Sequence, residues 1–92
     1  MQPEIRDQIL RRLDTYDGSI RRLRFIVAEL DAIWSAEDWQ PTDSENMRSS
    51  WGKLEEIYAV AVNHKTVELS TRDQEIIRDA LAEIRPIIQK GP

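Results

Sequence analysis

Apolar residues recur along this chain at intervals of three and four, the spacing that lines side chains up on one face of an α-helix. Ile5, Ile9, Leu13 and Tyr16 form the first such stripe and predict a helix over residues 3–16. Pro3 suits its first turn, where no N–H is needed, and Glu4 and Asp7 lie near the positive end of the helix dipole. A second stripe, Ile20, Leu23, Val27, Leu30 and Trp34, predicts a helix over 20–36. Ile26 and Ile33 widen it to the broad face that a globular bundle buries. The third helix is expected over 43–63, with Met47, Trp51, Leu54, Tyr58 and Ala61 as its seam and Ile57 and Val62 at the edges. The fourth is expected over 71–85, around Ile77, Ala80, Leu81 and Ile84. Pro86 should end or kink it, because it lacks an N–H and collides with the preceding turn, leaving Ile87 and Ile88 as a short tail.

The segments between the stripes carry breakers and caps. Asp17, Gly18 and Ser19 read as a turn, with Ser19 as N-cap of the second helix. A rival reading exists, since the four-three spacing runs from Ile9 to Trp34 straight through Gly18. One continuous helix would lose only about 1 kcal/mol at that glycine, and its seam could close on a second copy of the chain as a homodimer. Thr42 and Glu45 have the spacing of a capping box for the third helix, and Ser70 with Asp73, or Thr71 with Gln74, caps the fourth. Gly52, in the third helix, is expected where a neighbouring backbone comes close, with a functional kink as the alternative. No internal repeat and no low-complexity stretch is visible. The fold class that follows is all-α, an up-down antiparallel bundle of four helices in one domain spanning residues 1–92, the first two possible as one.

Composition narrows the chemistry. There is no cysteine, which removes disulfides, thiolate metal sites and cysteine nucleophiles together. The one histidine, His64, falls in the loop after the third helix, so no metal site is expected. Ser49 and Ser50 have no base beside them in the pattern, and no glycine-rich loop exists to cradle a phosphate. No apolar run approaches the roughly 18 residues of a membrane span, and the N-terminal residues lack a signal-peptide core, so no membrane role and a cytoplasmic location are expected. No cofactor is expected.

Charge is distributed unevenly. Of the net −4, residues 1–27 contribute an excess of bases, with Arg6, Arg11, Arg12, Arg21, Arg22 and Arg24 against four acids. Residues 28–47 hold Glu29, Asp31, Glu37, Asp38, Asp43 and Glu45 and no base. Trp34 lies on the core stripe there, whereas Trp39 lies outside any apolar period. Asp31, Glu37, Asp38, Trp39, Asp43 and Glu45 are therefore the candidate partner-binding residues, an acidic corner with an aromatic anchor facing a basic protein. Trp39 can equally be a cap closing the end of the core. The excess of acid opposes nucleic acid, and the arginines of the first helices alternate with Asp7, Asp14 and Asp17 without helix-turn-helix spacing.

Two resemblances bear on function. The stretch Trp51-Gly52-Lys53-Leu54-Glu55-Glu56-Ile57-Tyr58-Ala59-Val60-Ala61, with Leu69-Ser70 and the helix that follows, resembles small all-helical bacterial immunity proteins of polymorphic and contact-dependent toxin systems. That resemblance covers the third and fourth helices, transfers no specific binding residues, and implies a non-enzymatic protein that neutralises a cognate toxin, itself a basic domain. Ile5-Arg6-Asp7-Gln8-Ile9-Leu10 is similar to the first helix of the small helical chorismate mutases, which would give Arg6 an anion-binding role. The second-helix Arg and Lys and the downstream acid and amide of that family have no matching positions, so the enzyme reading rests on Arg6 alone. The expectation is a protein-binding module, with a self-associating structural or adaptor protein as the alternative.

Overall fold

The computed structural model describes all residues from Met1 to Pro92. Four helices, α1 (Pro3–Leu13), α2 (Ile20–Ala36), α3 (Pro41–Asn63) and α4 (Thr71–Lys90), account for all the regular structure. Each helix packs on two others in the cyclic order α1, α2, α3, α4, and the diagonal pairs α1/α3 and α2/α4 do not meet. Cross-links fix the directions. Arg6 at the start of α1 donates to the Gln89 carbonyl at the end of α4, Trp34 near the end of α2 donates to Ser44 in the first turns of α3, and Lys90 pairs with Asp43. Neighbours are thus antiparallel, as the short connections anticipated. The 37 Å long axis is about the length of α3, 23 residues at about 1.5 Å each.

One apolar cluster draws on every helix. Leu23, Leu30, Met47, Leu54, Ile77, Ile84 and Ile88 are its largest fully buried members. Of the stripe from Ile9 to Leu30, Ile9, Leu13, Leu23, Val27 and Leu30 lie inside this cluster, Tyr16 packs against it, and Ile20 is half-buried. The five core positions are therefore not free to form the homodimer seam that the heptad spacing allowed. Ile5, at the start of the first stripe, is half exposed, and so is Val62.

The break between α1 and α2 is real. Gly18 sits at φ +89°, a conformation no continuing helix contains, and the Ser19 hydroxyl accepts from the Arg22 N–H to cap α2. α1 stops at Leu13, a turn before its predicted end. Tyr16 leaves the helix to lay its ring against the core and donates its hydroxyl to Gln74 Oε1 at 2.5 Å, while Gln74 Nε2 donates to the Gly18 carbonyl at 2.7 Å. One glutamine at the start of α4 thus pins the whole turn. A Cβ on Gly18 would meet that same glutamine at 3.2 Å. Gly18→Ala is expected to destabilise the protein by about 1–2 kcal/mol, from the left-handed backbone alone, read as a lower urea midpoint with an unchanged slope.

Three other local expectations fail, each for a visible reason. α3 begins at Pro41 rather than Asp43, because proline at the first helical position is already set to a helical φ. Thr42 and Glu45 consequently fall inside the helix, and no side chain caps it. Pro86 does not end α4, which runs on to Lys90. Burial of Ile87 and Ile88 against the cluster, about 1.5–3 kcal/mol each, offsets the missing hydrogen bond. Gly52 has no neighbour within 4 Å of where a Cβ would stand, so no close backbone explains it. Gly52→Ala should then stabilise the protein by about 0.5–1 kcal/mol through helix propensity, seen as a higher melting temperature.

Candidate functional site

The acidic corner expected around the α2–α3 junction is partly neutralised by the fold. Glu37 lies 3.7 Å from the Met1 amino group, and Asp43 lies 3.0 Å from Lys90. Glu29, from the same acidic stretch, is paired with Arg12 of α1. The bundle therefore brings to this end the cations that the local sequence lacks. Trp39 is 7% exposed and belongs to the core cluster, with its indole N–H donating to the Ile33 carbonyl at 3.3 Å. It closes the end of the core and presents no ring to a partner, so its role as an exposed anchor is corrected. Asp31, Asp38 and Glu45 remain exposed and unpaired. Glu45 is two residues before the buried Met47, which places it about 200° around α3 from the core.

The other two tryptophans are half-buried and structural. Trp34 and Trp51 sit with ring centroids 6.3 Å apart, tilted by 38°, across the α2–α3 seam. Trp51 donates to the Val27 carbonyl at 3.0 Å, and Trp34 donates to the Ser44 hydroxyl at 2.9 Å. An aromatic pair in this arrangement adds about 0.5–1.5 kcal/mol beyond the area it buries.

The most developed concave surface is a groove of about 530 Å³ along the outside of the α3–α4 seam. Its floor is apolar, formed by Ile57 and Val60 from α3 and Ile76 from α4. Its rim carries Glu56, Asp73, Asp79 and Glu83 against a single cation, Lys53. Lys53 lies 3.8 Å from Glu83, and Glu83 also accepts from the buried Ser50 hydroxyl at 2.7 Å. Glu56, Asp73 and Asp79 form no ion pair. Val60 is half exposed in this groove, although a valine on an otherwise packed helix would ordinarily turn inward. The local cause is the register of α3. Leu54 and Ala61 take the core positions, and Lys53, Glu56, Ile57 and Val60 fall at i, i+3, i+4 and i+7 on the flank toward α4.

A second concavity lies on the α1–α2 seam. Phe25, 57% exposed, stands there with Arg22 and Glu29 of α2, Arg12 of α1 and Thr15 of the turn that follows α1. Toward the turn, the same ring borders Asp17, Ser19 and Arg21. The Ser19 hydroxyl and amide beside Asp17 hold its carboxyl below the usual carboxylate range, and burial pushes the Tyr16 phenol above its ordinary value.

Arg6, the residue on which an enzyme reading rests, lines none of these concavities, and its guanidinium reaches the Gln89 carbonyl at 3.5 Å. No three His, Asp or Glu side chains gather as a metal set, and His64 is exposed in the α3–α4 loop. No helix is long and apolar enough to cross a membrane.

Both grooves escaped the sequence pattern, which weighed apolar residues only as core. Phe25 and Val60 stood off their stripes among charges, and that combination is the signal. No family model, no curated protein and no solved structure matches the chain.

Proposed function

We propose that this protein is a non-catalytic binding module that grips a basic protein partner in the α3–α4 groove, in the manner of an immunity protein holding a toxin domain. The observation that carries the reading is the composition of that groove, an apolar floor under a rim of four carboxylates and one lysine. An apolar strip flanked by acid suits an amphipathic basic segment, whose aliphatic side chains cover the floor while its cations meet the rim. The stretch 51–61, which resembles immunity proteins, supplies one wall of the groove. Asp31, Asp38 and Glu45, exposed and unpaired elsewhere on the surface, add to the negative field that speeds arrival of such a partner. Nucleic acid would be repelled by the same field.

The test is a calorimetric titration with a synthetic amphipathic helix of leucine and lysine. Binding by the native chain and its loss in Glu56→Lys/Asp79→Lys support the groove. Loss in Asp31→Lys/Glu45→Lys instead would return the site to the acidic end.

A further inference from the structure

The cyclic order of the helices puts the α1–α2 seam and the α3–α4 seam on opposite sides of the bundle. The two sides are complementary. One carries a half-exposed Phe25 with Arg21 and Arg22 at i−4 and i−3, neither of them in an ion pair. The other carries a groove with an apolar floor and three carboxylates that lack a cation. An exposed aromatic ring costs hydration free energy, and a row of unpaired like charges repels itself, so each side lacks what the other has. Aromatic residues and arginine are also the types enriched at the centres of protein interfaces.

We infer that the occupant of the groove, in the absence of another partner, is a second copy of this chain, with Phe25 on the Ile57, Val60 and Ile76 floor and Arg21 and Arg22 on the acidic rim. The two surfaces belong to different faces, so the contact is heterologous. Each copy that fills a neighbour's groove leaves its own groove open on the far side, and the series has no closed end. The assembly is a chain of bundles that lengthens with concentration, rather than a symmetric dimer. This differs from sealing the Ile9–Trp34 seam, which the core has consumed. It shares the groove with the function proposed above and adds the Phe25 face.

Sedimentation equilibrium of the full chain tests the inference. In low salt the weight-average mass should rise past that of a dimer as concentration increases. It should fall back in about 1 M salt, where the screening length is only about 3 Å. Phe25→Asp removes the plug and keeps the groove, and Glu56→Lys/Asp79→Lys removes the groove and keeps the plug. Phe25→Asp should weaken association at least about thirtyfold, the effect of losing an interface centre, and the rim reversal by about tenfold. Mixed together they should form heterodimers and nothing larger, because only one productive contact survives. A native chain that stays monomeric across the series overturns the inference, and so does a dimer that grows no further. The peptide titration reads the groove alone, so a monomeric chain that binds the peptide sinks self-association and leaves the groove reading standing. A chain that associates but ignores the peptide does the reverse.

Discussion

Trp39→Ala should lower stability by about 3–5 kcal/mol, the range for removing a buried tryptophan from a packed site. For a domain of this size that is a fall in melting temperature on the order of 15–30 °C. Total stability is on the order of 5–10 kcal/mol, so the variant should populate unfolded chain at ordinary temperature. The effect follows from position. Trp39 is the one cluster member outside a helix, and it covers the open end of the core between the end of α2 and the start of α3. Helix pairs alone leave that end uncovered, because the connector is too short to lay down a second layer. Trp39→Phe separates the two contributions of the side chain. It keeps a ring over the core but loses the hydrogen bond to the Ile33 carbonyl and part of the buried ring volume, for about 1–3 kcal/mol. Chemical denaturation reads both variants. A loss under about 1 kcal/mol for the alanine variant would return Trp39 to the surface and restore it as an anchor.

The second large effect concerns binding. Glu56→Lys/Asp79→Lys should weaken capture of the basic peptide by about 1–3 kcal/mol, or roughly five- to 150-fold. Each reversal replaces a rim attraction by a repulsion of similar size. The rim is open to solvent, which keeps each contribution small, so the magnitude comes from changing two carboxylates together. Most of the loss should appear as slower association and a flatter salt dependence, because charge at a rim steers encounter more than it holds a complex. Val60→Asp tests the floor independently. It is already half exposed, so the fold should tolerate it, while the apolar contribution to peptide binding is lost.

The helices were legible because burial and periodicity agree in this chain. Leu23, Leu30, Leu54, Ile77 and Ile84 were all read as core from spacing alone, and all are fully buried. The departures occur where a tertiary contact outweighs a local preference. Pro86 should end or kink α4; it does not end it, because Ile87 and Ile88 gain more by staying helical. Tyr16 should have extended α1, but it reaches Gln74 across the bundle. The site was less legible for a different reason. Charge was summed along the chain, whereas the fold pairs charges across it. Glu37 finds Met1 and Asp43 finds Lys90, partners 36 and 47 residues away in sequence, so the acidic stretch is quieter in space than in order. The groove is the opposite case. Lys53, Glu56 and Asp79 look evenly mixed within the neutral second half of the chain, and only the packing of α3 on α4 gathers the acids on one rim.

The cyclic helix order also sets which part of the molecule can come away first. Three of its four seams join consecutive helices, and only the seam between α1 and α4 links the two ends of the chain. α1 is the shortest helix and commits two buried side chains, Ile9 and Leu13, whereas α4 commits six. Detaching α1 therefore breaks the one seam that required closing a long loop and leaves α2, α3 and α4 joined in a strip. The groove lies wholly within that strip, so its shape outlasts the loss of the first helix, while the concavity beside Phe25 disappears with it.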